Sequence, residues 1–277
     1  MKKIVLMLTA LLSLSFIIVM ATDTLGIRKS IENMRKAYEI DTDSLFTHLD
    51  KIEKSAIASK NPVEKGIYYS ILASLYQQYH DENRYFIDDR TDIDGPAPED
   101  VREWTKKNFN DKVRECLNKS LENRDDLLAA QVTDYRNEIE INVDYKLRPT
   151  VYDVLVHRAI NMLESDTAQV FAYYNDLLEA HKNDPVPHDA AKLDLHMYKY
   201  KKLEKGVKFG NGFAEEYKDT PLYVYAMALE LNHCLRTDKE KHDICLEFEK
   251  KYPDNPYISS IIRIREDIEE CYIAFDN

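Results

Sequence analysis

The amino-acid sequence predicts an all-α protein made of antiparallel helix pairs, arranged as an irregular α-α solenoid with tetratricopeptide-like repeats at its C-terminal end. Two features of composition favour helices: only 6 of 277 residues are glycine, and 19 are tyrosine, which suits the half-buried packing of helical arrays. The third observation is periodicity, because apolar side chains recur at helical spacing along most of the chain.

Residues 1–21 form a segment of another kind, with the features of a secretory signal peptide. Lys2 and Lys3 supply a positive start, residues 4–19 are largely apolar, and Ala21 ends a small-residue cleavage site. We expect cleavage after Ala21 and export to the periplasm or cell envelope. An uncleaved N-terminal anchor is the alternative, since the apolar run is close to the lower limit for spanning a membrane.

The following region, residues 22–147, is predicted to contain paired helices. Pro62 fits the first turn of one helix and Pro98 the start of another. The predicted helices cover residues 24–58 with a break at 41–44, 62–80, 98–121 and 125–132. Residues 139–143 alternate like a strand, but no second alternating run is available to pair with them.

An acidic loop interrupts this region at residues 81–100, where helical periodicity fails. Asp92 and Asp94 stand two apart before Gly95, as oxygen ligands do in a calcium-binding loop. Arg90 occupies the first ligand position, however, so we favour a solvated acidic surface. A divalent-metal or small-ligand binding protein that uses this loop is the alternative function.

Residues 148–163 predict a central helix against which others pack. Pro149 disfavours helix at Arg148, Thr150 is a good N-cap, and Asp153 completes a capping box three residues later. Apolar side chains then cover most of the helix circumference, which is typical of a helix inside a domain.

The C-terminal region, residues 148–277, carries a repeat. A further helix is predicted over 167–181, and Pro187, Pro221 and Pro256 follow at spacings of 34 and 35 residues. This is the period of tetratricopeptide-like helix–turn–helix units, each proline opening a helix after a turn. Alternatively, residues 22–277 form one continuous domain.

No residue is predicted to be catalytic, and no cofactor is predicted. The chain lacks a glycine-rich phosphate loop, a zinc-protease helix and a nucleophile elbow. Asp153 and His157, four apart on one helix, are more typical of an internal hydrogen-bond network than of an acid–base pair, since no nucleophile accompanies them.

Two histidines and two cysteines near the C-terminus raise the question of a metal or a disulfide. His233, Cys234, His242 and Cys245 contain zinc-ligand types but lack paired-cysteine spacing, so we predict no metal site. Cys234 and Cys245 flank a predicted turn; a disulfide between them stays open, although separate buried thiols are favoured.

Several stretches resemble the N-terminal helical region of large alpha-2-macroglobulin-like proteins of Bacteroidetes. They are residues 82–85, 93–104, 217–221 and above all 148–159, and the resemblance covers roughly residues 25–260. It implies an exported protein whose relatives trap proteases with β-sandwich domains, a bait region and sometimes a thioester. The thioester sequence Cys-Gly-Glu-Gln does not occur here. Both a stand-alone helical module and the leading segment of a larger product remain open.

Together these features predict an exported, non-catalytic interaction or scaffold module with a protein or peptide partner. The net charge of −12 argues against nucleic acid, because phosphate contacts need concentrated lysine and arginine. No membrane association beyond an uncleaved signal anchor is expected. The oligomeric state is not predicted.

Overall fold

The computed structural model describes residues 42–92, 95–135, 145–203 and 212–275. Regular structure within these ranges is helical, which confirms the predicted all-α class; an isolated antiparallel bridge joins Gln131 to Thr150. The signal peptide, the helical pattern over 24–41 and the strand-like run 139–143 lie outside the described residues.

The chain divides into two compact units, Met1–Val170 and Phe171–Asn277. The division after residue 147 and the alternative of one continuous domain stay predictions. The α-helices of the first unit are α1 (Thr42–Ala58), α2 (Pro62–Glu82), α3 (Arg84–Ile87), α4 (Lys106–Leu121), α5 (Arg124–Ala129) and α6 (Val151–Met162). Helix α7 (Thr167–Ala180) begins in this unit and continues into the second.

Helix α2 is the centre of the first unit. Its start is set locally, since Pro62 occupies the first turn and the Asn61 side chain accepts hydrogen bonds from the amides of Val63 and Glu64. It packs against α1, α4, α5 and α6 and buries side chains around most of its circumference. Gly66 allows the closest approach: a β-carbon there would lie 2.8 Å from the backbone oxygen of Ser120 on α4.

The predicted central helix is α6, and its predicted start is confirmed. The Thr150 hydroxyl accepts a hydrogen bond from the Asp153 amide at 3.2 Å, and the Asp153 carboxylate accepts one from the Thr150 amide at 2.8 Å. Helix α6 is almost entirely buried against α2, α4 and α5. It therefore shares with α2 the central position that the sequence assigned to it alone.

The helix predicted from Pro98 begins eight residues later, which corrects the sequence prediction. Val101–Glu103 form a single 3-10 turn capped by Asp100, and α4 starts at Lys106 behind a second capping box, Thr105 with Asn108. Trp104 is extended between them, with φ −62° and ψ 142°. Its backbone oxygen accepts from Arg90, so the loop is tied to the helix start.

The second unit contains the remaining helices and a 3-10 helix, Phe213–Tyr217. The α-helices are α8 (Pro185–Leu203), α9 (Tyr223–His233), α10 (Asp238–Lys251) and α11 (Ile258–Phe275). Helix α11 packs against both α9 and α10, and Tyr223 of α9 contacts the rings of Phe248 and Tyr252. Helix α10 starts at a third capping box, formed by Thr237 and Glu240.

Each of the three prolines of the predicted repeat lies two residues from the start of a helix. Helix α8 begins two residues before Pro187, which lies in its first turn, where a missing amide donor costs nothing. Pro221 and Pro256 each precede a helix by two residues. The helical character of the region is confirmed, whereas the repeat pairs and the solenoid arrangement are taken up below as proposals.

A buried carboxylate joins α9 to the preceding 3-10 helix. Glu230 is fully buried and accepts hydrogen bonds from the amides of Gly212 and Ala214 at 3.1 and 2.8 Å. Nη1 of Arg236 lies 2.7 Å from Oε1 of Glu230, which is an ion-pair distance. Gly212 adopts φ 117°, a conformation that favours glycine, and this turn brings the amides to the carboxylate.

Candidate functional site

The candidate site is a pocket of about 550 Å³ in the first unit, within the range of about 300–1,000 Å³ common for ligand pockets. It is formed by α1, α2, the 3-10 turn and α4. The lining residues are Phe46, Leu49, Asp50, Glu53, Tyr76, Glu99, Asp100, Val101, Arg102, Trp104 and Lys112.

Aromatic rings form one side of this pocket. Trp104, the only tryptophan in the chain, stacks on Tyr76 with ring centroids 5.5 Å apart and meets Phe109 edge-on at 5.3 Å. The indole Nε1 donates to the carbonyl oxygen of Pro98 at 2.8 Å, which satisfies its single donor. Both the ring and the backbone of Trp104 are therefore held in place, and the pocket wall is preorganised.

A lysine–glutamate pair bridges the pocket between α4 and α1. Nζ of Lys112 donates to Glu53 at 2.7 Å and lies 5.9 Å from the ring centroid of Tyr76. Burial alone lowers the pKa of Lys112, but the hydrogen bond and charge of Glu53 outweigh it, and the pKa is raised. Burial and the same glutamate also raise the pKa of Tyr76. At neutral pH the lysine is charged and the phenol neutral.

A second ion pair lies at the edge of the pocket. Arg102 donates from Nε and Nη2 to Asp100 at 3.0 and 2.7 Å, and its guanidinium carbon lies 6.0 Å from the ring centroid of Phe46. The hydrogen bonds from Arg102 lower the pKa of Asp100. Each cation of the lining is thus matched by one lining carboxylate.

The lining carries more carboxylates than cations. Four carboxylates face two cations, and after the two pairs are formed Asp50 and Glu99 remain. Asp50 contacts Lys54 at 2.6 Å, an exposed residue that does not line the pocket. Glu99 is exposed and has no ion-pair partner among the residues that the structure describes. The pocket therefore combines preorganised rings with excess negative charge.

The structure places Asp153 and His157 in a local network. Asp153 caps α6 through Thr150, and Nδ1 of the buried His157 lies 2.7 Å from the carbonyl oxygen of Asp153. The carboxylate accepts from the amide and the hydroxyl of Thr150 at the start of its own helix. This arrangement suits a structural role.

In the acidic loop, cations already surround one of the carboxylates. Asp88 accepts from Lys106 and Arg84 at 3.2 Å each, and His80 Nε2 lies 3.1 Å away. Asp92 is exposed, and Asp94 lies outside the described residues. Asp88 is therefore already paired with basic side chains, and the metal- or ligand-binding alternative for the loop stays a prediction.

His242, Cys234 and Cys245 near the C-terminus make separate contacts. His242 Nε2 lies 2.9 Å from Glu269 of α11, while Cys245 is fully buried and Cys234 contacts the carbonyl oxygen of Leu231. Both cysteines are free thiols. Over the described ranges, no three metal-ligating side chains are grouped so that they could hold an ion.

Sequence reasoning placed the lining residues within the predicted helices 24–58, 62–80 and 98–121 and predicted no pocket among them. Phe46 and Trp104 are far apart in the chain, and Trp104 was placed inside a continuous helix. The one available signal was the single tryptophan beside a proline- and acid-rich loop. Such a signal marks a position and does not define a cavity.

Comparison with protein-family models, with curated proteins and with solved structures finds no match for this chain. Among the helices that the structure describes, none combines the length and apolar character needed to span a membrane. The pocket is therefore the basis of the functional proposal.

Proposed function

We propose that this chain is an exported helical interaction module that binds a protein or peptide partner and catalyses no reaction. The observation that carries the proposal is the pocket between α1, α2 and α4, with its fixed aromatic wall and charged edge. Aromatic anchoring surfaces with a polar rim are typical of sites that bind partner side chains.

The arrangement of helices supports the same proposal. We propose that α9, α10 and α11 form a tetratricopeptide-like unit followed by the first helix of the next, since α11 packs against both preceding helices. Stacked helix pairs of this kind present extended surfaces to peptides and partner domains. The fold of the whole chain would then be an irregular α-α solenoid.

The setting we propose is the periplasm or cell envelope, in a protein related to the helical region of alpha-2-macroglobulin-like proteins. The support is the sequence of residues 1–21 and the resemblance of residues 148–159. Sequencing the N-terminus of the protein recovered from an envelope fraction tests export. A start at Thr22 supports it, and retention of Met1 in the cytoplasm contradicts it.

Selection from a random-peptide display library tests the binding function. Val101 is half-exposed and lines the pocket, so Val101→Trp places an indole in the opening. Glu103→Trp provides a matched control, because Glu103 is exposed on the same 3-10 turn and does not line the pocket. Circular dichroism of both variants checks that the helices are retained.

We expect the unmodified protein to enrich a family of related peptides. These peptides should bind the Glu103→Trp variant equally well and the Val101→Trp variant at least ten-fold more weakly. Failure to enrich any related sequences would refute the proposed function. Equal binding to all three proteins would place the function on another surface.

A further inference from the structure

We propose that the pocket recognises a basic side chain, arginine or lysine, presented by an otherwise apolar segment of the partner. This inference rests on the proposed function and specifies its ligand. The charge balance of the lining is the first argument. Its two cations are each paired with a lining carboxylate, and Asp50 is paired with Lys54 outside the lining, so the lining stays net negative and Glu99 is left to attract a positive group.

The second argument is the behaviour of the chain's own cations. Lys112 lies 5.9 Å from the ring centroid of Tyr76, and Arg102 lies 6.0 Å from that of Phe46, so both reach the outer range of cation–π attraction. The Lys112 ammonium is held charged in spite of partial burial. The pocket thus already stabilises positive groups against aromatic rings, which is the environment that a ligand guanidinium or ammonium requires.

The third argument is the division of the lining between apolar and acidic groups. Leu49, Val101 and the aromatic wall supply apolar contact, whereas Asp50 and Glu99 are exposed lining residues. A lysine or arginine side chain has the matching form, since its apolar stem can be buried while the charged head stays near water and carboxylates. An acidic partner segment would meet the carboxylates of Glu99 and Asp50 and be repelled.

Trp104 provides a direct readout. As the only tryptophan of the chain and a lining residue, it should report occupancy of the pocket through its fluorescence. The probe is a blocked peptide of alternating leucine and arginine. The matched ligand is the same peptide with citrulline at each arginine position, which retains the shape of the side chain and removes its charge.

The protein variant that tests the carboxylates is Asp50→Asn with Glu99→Gln. Both residues are exposed, so the substitutions should leave the fold intact. The control is Glu103→Gln with Asp111→Asn, which changes net charge equally at exposed residues outside the pocket.

We expect a saturable change in Trp104 fluorescence with the arginine peptide and about ten-fold weaker binding of the citrulline peptide. The Asp50→Asn, Glu99→Gln variant should bind the arginine peptide about three- to ten-fold more weakly, and the control variant as the unmodified protein does. Added salt should weaken binding of the arginine peptide and leave binding of the citrulline peptide unchanged.

Equal affinity for the two peptides, or an unchanged affinity in the Asp50→Asn, Glu99→Gln variant, would overturn the inference. So would a fluorescence change that depends on protein concentration and not on ligand, because the occupant would then be a second copy of the chain. The two proposals fail differently. Selected peptides that bind through the pocket but lack basic residues overturn this inference and leave the interaction function standing.

Discussion

Replacement of Glu230 by glutamine should selectively destabilise the second unit. Its fully buried carboxylate accepts from the amides of Gly212 and Ala214 and lies 2.7 Å from Arg236, whose side chain is 17% exposed. Glutamine retains one acceptor oxygen but leaves the guanidinium without its anion. The turn at Gly212 also loses a charged acceptor for its donors.

The magnitude follows from these contacts. Breaking a buried ion pair by removing one partner costs about 3–5 kcal/mol, and the partial exposure of Arg236 reduces this to roughly 2–4 kcal/mol. Glu230→Ala should cost more, since both backbone donors then lose a charged acceptor and each such hydrogen bond contributes about 1.5–3 kcal/mol.

Urea unfolding followed by circular dichroism, with hydrogen exchange at the amides of Phe213–Tyr217, measures the effect. A double-mutant cycle with Arg236→Met isolates the pair, and we expect a coupling energy above about 1 kcal/mol. Glu247→Gln, an exposed change on α10, is the control and should stay within about 0.5 kcal/mol of the unmodified protein. A Glu230→Gln effect as small as that of the control, or a coupling energy near zero, would refute the reasoning.

Three further predictions concern packing, thiols and pH. Gly66→Ala should destabilise the first unit by about 1–2 kcal/mol in urea unfolding, because the new β-carbon would lie 2.8 Å from a backbone oxygen of α4. The cost of this overpacking exceeds the gain in helix propensity from alanine. Unchanged stability would mean that α2 and α4 can move apart without cost. At pH 8 a thiol reagent should modify the exposed Cys271 and spare Cys116, because burial raises the pKa of the Cys116 thiol to about 12. In denaturant all four cysteines should react. Fewer than four reactive thiols would reveal a disulfide. Burial raises the pKa of Asp88, but hydrogen bonds from Lys106, Arg84 and His80 outweigh it, so the folded-state pKa is lowered. The stability difference from Asp88→Asn should be full at neutral pH, decline as the pH falls past the ordinary pKa of 3.8, and vanish below the lowered folded-state pKa. A difference that persists in acid would contradict this.

Helix starts were predictable where the information is local. Asn61 with Pro62, and Thr150 with Asp153, set their helices through contacts three residues apart or fewer, and the structure places both starts where the sequence did. The start near Pro98 was wrong because two capping signals compete: Asp100 caps a single 3-10 turn, and Thr105 caps the real helix. The apolar spacing runs through both and does not distinguish them.

Local sequence signals could not predict the pocket. It depends on the packing of α1 and α4 against α2, which the sequence pattern does not specify. The same holds for Lys112 and Glu53, whose contact at 2.7 Å joins two helices distant in the chain. Hydrophobic periodicity identifies which face of a helix is buried, whereas the neighbour that buries it is decided by close approaches such as that at Gly66.

Because α2 is buried around most of its circumference, the order of synthesis matters for this chain. Its last helical neighbour, α6, ends about eighty residues after α2 is complete, which at ~5–20 residues per second corresponds to on the order of 4 to 16 s of translation. During that interval the apolar faces of α2 have no complete set of neighbours. Holding chaperones should therefore meet the nascent chain at Pro62–Glu82, and fragments that end before Val151 should aggregate.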